Sequence, residues 1–122
     1  MAVAVERLKR RADFLLVADT RRRHATPGLV LQARRRDTSG ATEAFVRVGF
    51  TATRKIGNAV IRNRARRRLR AVAAEILPQS ATPGHDYVLI ARAGTIDRSY
   101  DKLLSDLRTA LAAVAPRARS NA

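Results

Sequence analysis

The segment Arg62-Asn63-Arg64-Ala65-Arg66-Arg67-Arg68-Leu69-Arg70 carries the densest chemistry in the chain. A guanidinium is planar, permanently charged and able to hold two phosphate oxygens at once. On a helix, Arg62, Arg66 and Arg70 follow one another at i, i+4 and i+8 along one flank. Asn63 and Arg67 lie beside them, and Arg64 and Arg68 lie on the far flank. Ile61, Ala65, Leu69, Val72 and Ile76 share a separate apolar stripe. Such a helix docks on a core while presenting cations outward. The like-charge pairs Arg62/Arg66, Arg66/Arg70, Arg64/Arg68, Arg64/Arg67 and Arg67/Arg70 cost roughly 0.2–0.5 kcal/mol each, about 1–2.5 kcal/mol together. No acid falls between Glu43 and Glu75 to relieve them. The plain alternative is a solvated helix face, but ordinary solvated faces mix signs. Local repulsion with no intramolecular remedy points to a polyanion-binding surface. If about six phosphates are engaged, log K falls with log salt at a slope of about −4 to −5.

The residues just upstream add to this. Gly57-Asn58 breaks a strand, and Asn58 suits an N-cap. Arg54 and Lys55 precede a helix N-terminus whose free N–H groups and dipole favour anions. Phe14, Phe45, Tyr87 and Tyr100 are the aromatics that could stack on unpaired bases. Phe45, Tyr87 and Tyr100 read as core, and Phe14 as a stacking candidate on a short helix in a basic neighbourhood. Arg47 on an open strand face invites cross-strand pairing with Glu43 or contact with a ligand. His24 and His85 fall beside turn residues and read as solvent-exposed. Asp13, Asp19, Asp37, Glu43, Asp86, Asp97, Asp101 and Asp106 form no metal-ligand motif. No nucleophile elbow or triad frames a Ser or Thr, so the polypeptide is not expected to cleave RNA by itself.

These residues need a scaffold. Residues 1–11 read as a mobile basic arm and Arg11–Ala18 as a short helix around Phe14, Leu15 and Val17. Leu29–Arg34 reads as a strand, with Leu29, Leu31 and Ala33 on one side and Val30, Gln32 and Arg34 on the other. Arg35–Thr42 suits a hairpin loop. Ala44–Thr51 is the clearest strand, with Ala44, Val46, Val48 and Phe50 towards a core and Phe45, Arg47, Gly49 and Thr51 on an open face. A helix runs from Asn58 to about Leu77, stopped by Pro78. Asp86–Arg92 reads as a buried central strand and Ser99–Ala115 as a second long helix on Leu103, Leu104, Leu107, Leu111 and Val114. The order is α-β-β-α-β-α, with a possible extra strand edge near Arg54. Two long helices cover one face of a small sheet, and the N-terminal helix flanks the other. One domain over residues 1–115 and a flexible tail over 116–122 account for the chain.

The whole composition agrees. The chain has 122 residues, 25 Lys plus Arg, 10 Asp plus Glu and a net charge of +15. All but three of the cations (Lys9, Lys55 and Lys102) are arginine. So much charge on one small domain repels itself unless a polyanion binds it. There is no cysteine, which excludes disulfides, thiolate metal sites and cysteine nucleophiles. No apolar run reaches membrane-spanning length, and the N-terminus lacks a signal-peptide stretch. A cytoplasmic domain is expected. A membrane-surface helix would want bulkier apolar residues than this stripe offers.

The run Arg54-Lys55-Ile56-Gly57-Asn58-Ala59-Val60-Ile61-Arg62-Asn63-Arg64, with the basic residues to Arg70, resembles the signature of the bacterial ribonuclease P protein component. Arg7-Leu8 with Asp13-Phe14, and Asp86-Tyr87-Val88-Leu89-Ile90-Ala91-Arg92, are similar to further family segments in the same order. The resemblance spans about residues 6–114. It implies an α+β fold: a two-layer α/β sandwich related to a ribosomal-protein domain, a small mixed sheet with helices on one face, and a left-handed βαβ crossover. It implies a subunit of the ribozyme that removes the 5′ leader of precursor tRNA, catalysis lying in the RNA subunit with Mg²⁺. One protein per RNA is expected, with no membrane partner. Lys55, Arg62, Asn63, Arg64, Arg66, Arg67 and Arg70 match its RNA-binding motif, and Phe14, Arg47 and Thr51 its leader cleft. Ala18 and Gln32 stand where the family commonly has cleft aromatics, which shifts leader binding towards arginines. A ribosomal or other structural RNA-binding protein with no processing role is the alternative.

Overall fold

The computed structural model describes residues 2–36 and 44–116. Its elements are β1 (Val5–Arg7), α1 (Arg11–Asp19), β2 (Arg23–Ala25), β3 (Leu29–Arg35), β4 (Val46–Thr51), a 3₁₀ turn (Arg54–Ile56), α2 (Ala59–Ser80), β5 (His85–Ala91), α3 (Gly94–Asp97) and α4 (Tyr100–Val114). The strands form one open mixed sheet in the order β1-β4-β5-β3-β2. β4 is parallel to both β1 and β5, and β3 is antiparallel to both β5 and β2.

Alternation sorts the side chains as the sequence predicts. Leu29, Leu31, Ala33, Val46, Val48, Tyr87, Leu89 and Ala91 face α2 and α4 in the main core. Ala65, Leu69, Val72, Ala73 and Ile76 supply the α2 stripe, and Leu103, Leu107, Ala110 and Leu111 that of α4. On the opposite face a smaller cluster of Leu8, Val17 and Val88 gathers Phe14 and Ile90 beneath α1. Helices therefore lie on both faces, α2 and α4 on one and α1 on the other. Gly49 makes the second contact possible: a Cβ there would stand 2.4 Å from the Phe14 ring. Gly49→Ala is expected to push α1 off β4 and cost about 1–3 kcal/mol, read by urea unfolding.

Several expectations are corrected. Residues 2–11 are not a mobile arm: β1 pairs with β4, and the Val3 N–H donates to the Pro78 carbonyl. β3 and β4 are not a hairpin, because β5 lies between them; most of the connection, residues 37–43, lies outside the described residues, as does the tail from 117. Pro78 sits inside α2, which continues to Ser80. Near a helix C-terminus proline forfeits one backbone bond, and the Ala81 N–H to the Leu77 carbonyl restores the last turn. The segment at Arg54 is a 3₁₀ turn rather than a strand edge. β2 and α3 are elements that no periodic pattern announces.

Candidate nucleic-acid interface

α2 begins where the sequence places it. The Asn58 side chain accepts the Ile61 N–H at 3.0 Å, and Gly57 turns the chain at φ 148°, a backbone left to glycine. A Cβ there would also meet the Ile61 side chain at 2.9 Å. The apolar stripe then fixes which residues face out. Asn63, Arg64, Arg67 and Arg70 are exposed, Arg62 and Arg66 are half-buried along the border, and Lys55 is exposed on the preceding turn. Arg66 donates to the Asn63 Oδ1 at 2.6 Å. Among the described residues no carboxylate pairs with Arg64, Arg67 or Arg70, and the buried Nε of Arg62 has no hydrogen-bond partner. Arg68 differs: it donates to the Thr95 and Arg98 carbonyls and ties α2 to the C-terminal end of α3. The sequence distinguishes Arg68 by its place on the far flank, not by this bond.

The second face of the sheet carries a buried ion cluster. Asp86 is fully buried. It accepts from Arg36 Nη1 at 2.9 Å and from Arg47 Nε and Nη2 at 2.9 and 2.7 Å. Arg34 Nη1 stands 3.8 Å away. Arg47 also reaches Asp13 on α1 at 3.4 Å. Among the described residues Arg47 thus pairs across the sheet with Asp86 and with Asp13 of α1; the expected partner Glu43 lies outside the described residues. Arg36 further donates to the Phe45 carbonyl at 2.6 Å and lies over the Phe45 ring at 4.2 Å.

The family model of Ribonuclease P matches residues 4–115. The ribonuclease P protein component of Paramagnetospirillum magneticum is 51% identical over 111 residues, covering 91% of this chain and 84% of that one. The component from Caulobacter vibrioides is 51% identical over 110 residues, covering 90% and 71%. The chain belongs to the ribonuclease P protein family. It is a subunit of ribonuclease P, a ribonucleoprotein of tRNA processing. The fold agrees: the Thermotoga maritima RNase P protein superposes with a TM-score of 0.70 at 25% identity, covering 85% of this chain and 93% of that one. The Staphylococcus aureus protein gives 0.69 at 24%, covering 87% and 92%.

The candidate residues singled out from the sequence fall into two groups. Lys55, Arg62, Asn63, Arg64, Arg66, Arg67 and Arg70 follow the turn and the first half of α2. Phe14, Arg47 and Thr51 lie on the other face of the sheet, with the Phe14 ring on Gly49 and all three half-buried. One aromatic departs from expectation. Tyr87 is core, but Tyr100 is exposed and donates to Glu75 at 3.1 Å. Among the described residues no three acids or histidines converge on a cation site, and the guanidiniums around Asp86 oppose a metal there. No helix among the described residues is long and apolar enough to cross a membrane.

His85 corrects a further expectation: it is buried at the start of β5, not exposed in a loop. Nδ1 lies 3.2 Å from the Pro83 carbonyl and Nε2 lies 3.3 Å from Arg22 Nη1. A guanidinium only donates, so Nε2 accepts and Nδ1 carries the hydrogen. Burial pushes the imidazole below its ordinary 6.5; the Pro83 bond opposes this, and the charges of Arg22, Arg35 and Arg36 reinforce it. The unfolded chain takes up this proton first. Stability is therefore full above about pH 6.5 and falls as pH drops below it. Urea unfolding at pH 7.5 and 5.5 should show a larger loss for the wild type than for His85→Gln.

Proposed function

We propose that this subunit binds the catalytic RNA of ribonuclease P through Lys55, Arg62, Asn63, Arg64, Arg66, Arg67 and Arg70, and holds the single-stranded 5′ leader of precursor tRNA on the sheet face beside α1. The observation that carries this is the acid-free row of Asn63, Arg64, Arg67 and Arg70 along a rigid helix. Phosphates would remove the mutual repulsion of these side chains, and an RNA oxygen would satisfy the Arg62 Nε. On the leader face Phe14 offers a ring edge, and Arg47 and Thr51 offer donors. Arg47 is held by Asp86 and Asp13, so it presents a fixed, partly neutralised guanidinium. Cleavage then belongs to the RNA subunit, with Mg²⁺ held by RNA and one protein per RNA. The protein raises substrate affinity and eases metal use by supplying cations where two polyanions meet. Adding the chain to its cognate RNA is expected to lower the Mg²⁺ concentration needed to release the 5′ leader. The assay scores mature 5′ ends at physiological salt, and an unchanged Mg²⁺ requirement speaks against the reading.

A further inference from the structure

A second cationic centre lies away from the arginine helix. Arg21, Arg22 and Arg23 leave the end of α1, Arg35 ends β3, His85 begins β5, and the last turn of α4 completes an open pocket of about 530 Å³. No acid lines it. Arg22 is engaged: it donates to the Val114 carbonyl and to His85 Nε2. Its charge thereby offsets the negative end of α4, which would otherwise repel an anion. Arg21, Arg23 and Arg35 are exposed, and none has a carboxylate partner among the described residues. His85 is a neutral wall that competes for nothing.

The backbone under this cluster is strained. Arg21 has φ 61°, the only non-glycine residue in the left-handed region among the described residues. It follows a helix end, where that conformation belongs to glycine or asparagine. The arginine here gains nothing from the turn, and strain held at a charged surface residue suggests a role outside the fold.

We infer that Arg21, Arg23 and Arg35 form a phosphodiester cradle that grips RNA independently of α2. The pocket sits at the N-terminal end of β5, whereas Arg68 of α2 ties to residues beyond its C-terminal end. Seven residues of strand separate the two centres, roughly 20 Å at 3.3 Å per residue. An RNA held at both ends of the sheet cannot pivot on either. The inference rests on the RNA-binding role proposed above, and the shared chemistry leaves two sources, the catalytic RNA or the substrate leader.

Arg21→Gly separates charge from fold, since glycine suits φ 61°. Its melting temperature is expected to match or exceed that of wild type. Its binding to cognate ribonuclease P RNA should lose about 1 from the magnitude of the log K against log salt slope, and Arg21→Gly/Arg23→Ala/Arg35→Ala should lose about 2–3. If the leader is the source, that loss appears in holoenzyme binding to precursor tRNA with a long leader and vanishes with the leader removed. Wild-type slopes in both assays for folded variants would overturn the inference. Arg64→Ala/Arg67→Ala in parallel keeps the two readings apart. If it weakens binding while the pocket variants do not, only the cradle fails; if wild type itself binds without salt dependence, the role of α2 fails too.

Discussion

Replacing Arg64, Arg67 and Arg70 together by alanine is expected to make the protein more stable and far worse at binding RNA. The three side chains are exposed and have no carboxylate partner among the described residues, so their removal breaks no ion pair. It deletes the repulsions Arg64/Arg67, Arg67/Arg70, Arg66/Arg70 and Arg64/Arg68, worth about 1–2 kcal/mol in sum, and alanine has the best helix propensity. A higher urea midpoint is the first readout. The second is affinity for the cognate RNA at 150 mM salt (a physiological value), expected to drop about a hundredfold or more, with the salt slope shallower by about 3. A stability loss with binding intact would mean that these arginines serve the fold.

Asp86→Ala should have the largest effect on folding. The carboxylate is fully buried and accepts three guanidinium bonds from Arg36 and Arg47, with Arg34 close by. Without it, the guanidiniums of buried Arg36 and of Arg47 lose the carboxylate they share. Breaking a buried pair from one side typically costs about 3–5 kcal/mol, a large share of the stability of a domain this size. Urea unfolding measures it. Asp86→Asn keeps the shape and some acceptor capacity and should fall between. Adding Arg47→Ala to Asp86→Ala should recover part of the loss, because the double variant leaves one fewer guanidinium crowding the emptied Asp86 position. An Asp86→Ala midpoint within experimental error of wild type would show that water reaches the cluster.

The sequence makes the long elements legible because their periods are physical. Val46, Val48 and Phe50 must alternate to reach one face, and Ala65, Leu69, Val72 and Ile76 must recur by turns to meet it. The exposed arginines follow by subtraction, so the cationic face of α2 is legible from the pattern alone. What pattern alone does not carry is long-range pairing. β1 and β2 have three residues each and exist because neighbours supply hydrogen bonds. The insertion of β5 between β3 and β4 leaves no local trace, which is why residues 35–42 mimic a hairpin. Asp86 reads as one acid among several, since Arg36 and Arg47 lie 50 and 39 residues from it. His85 looks like a turn residue beside Pro83-Gly84, yet the pairing of β5 with β3 carries it inside.

The strand order has a consequence for how the molecule is made. The central strand of the sheet is the last to leave the ribosome, and β3 and β4 have no shared neighbour until it arrives. A nascent chain that ends just before His85 already carries every arginine of α2 but cannot close the hydrophobic layer beneath them. Contacts this distant in sequence slow folding, so the newborn polypeptide carries its arginines before the sheet can close, and the acid that bridges Arg36 and Arg47 comes only with the strand that completes it.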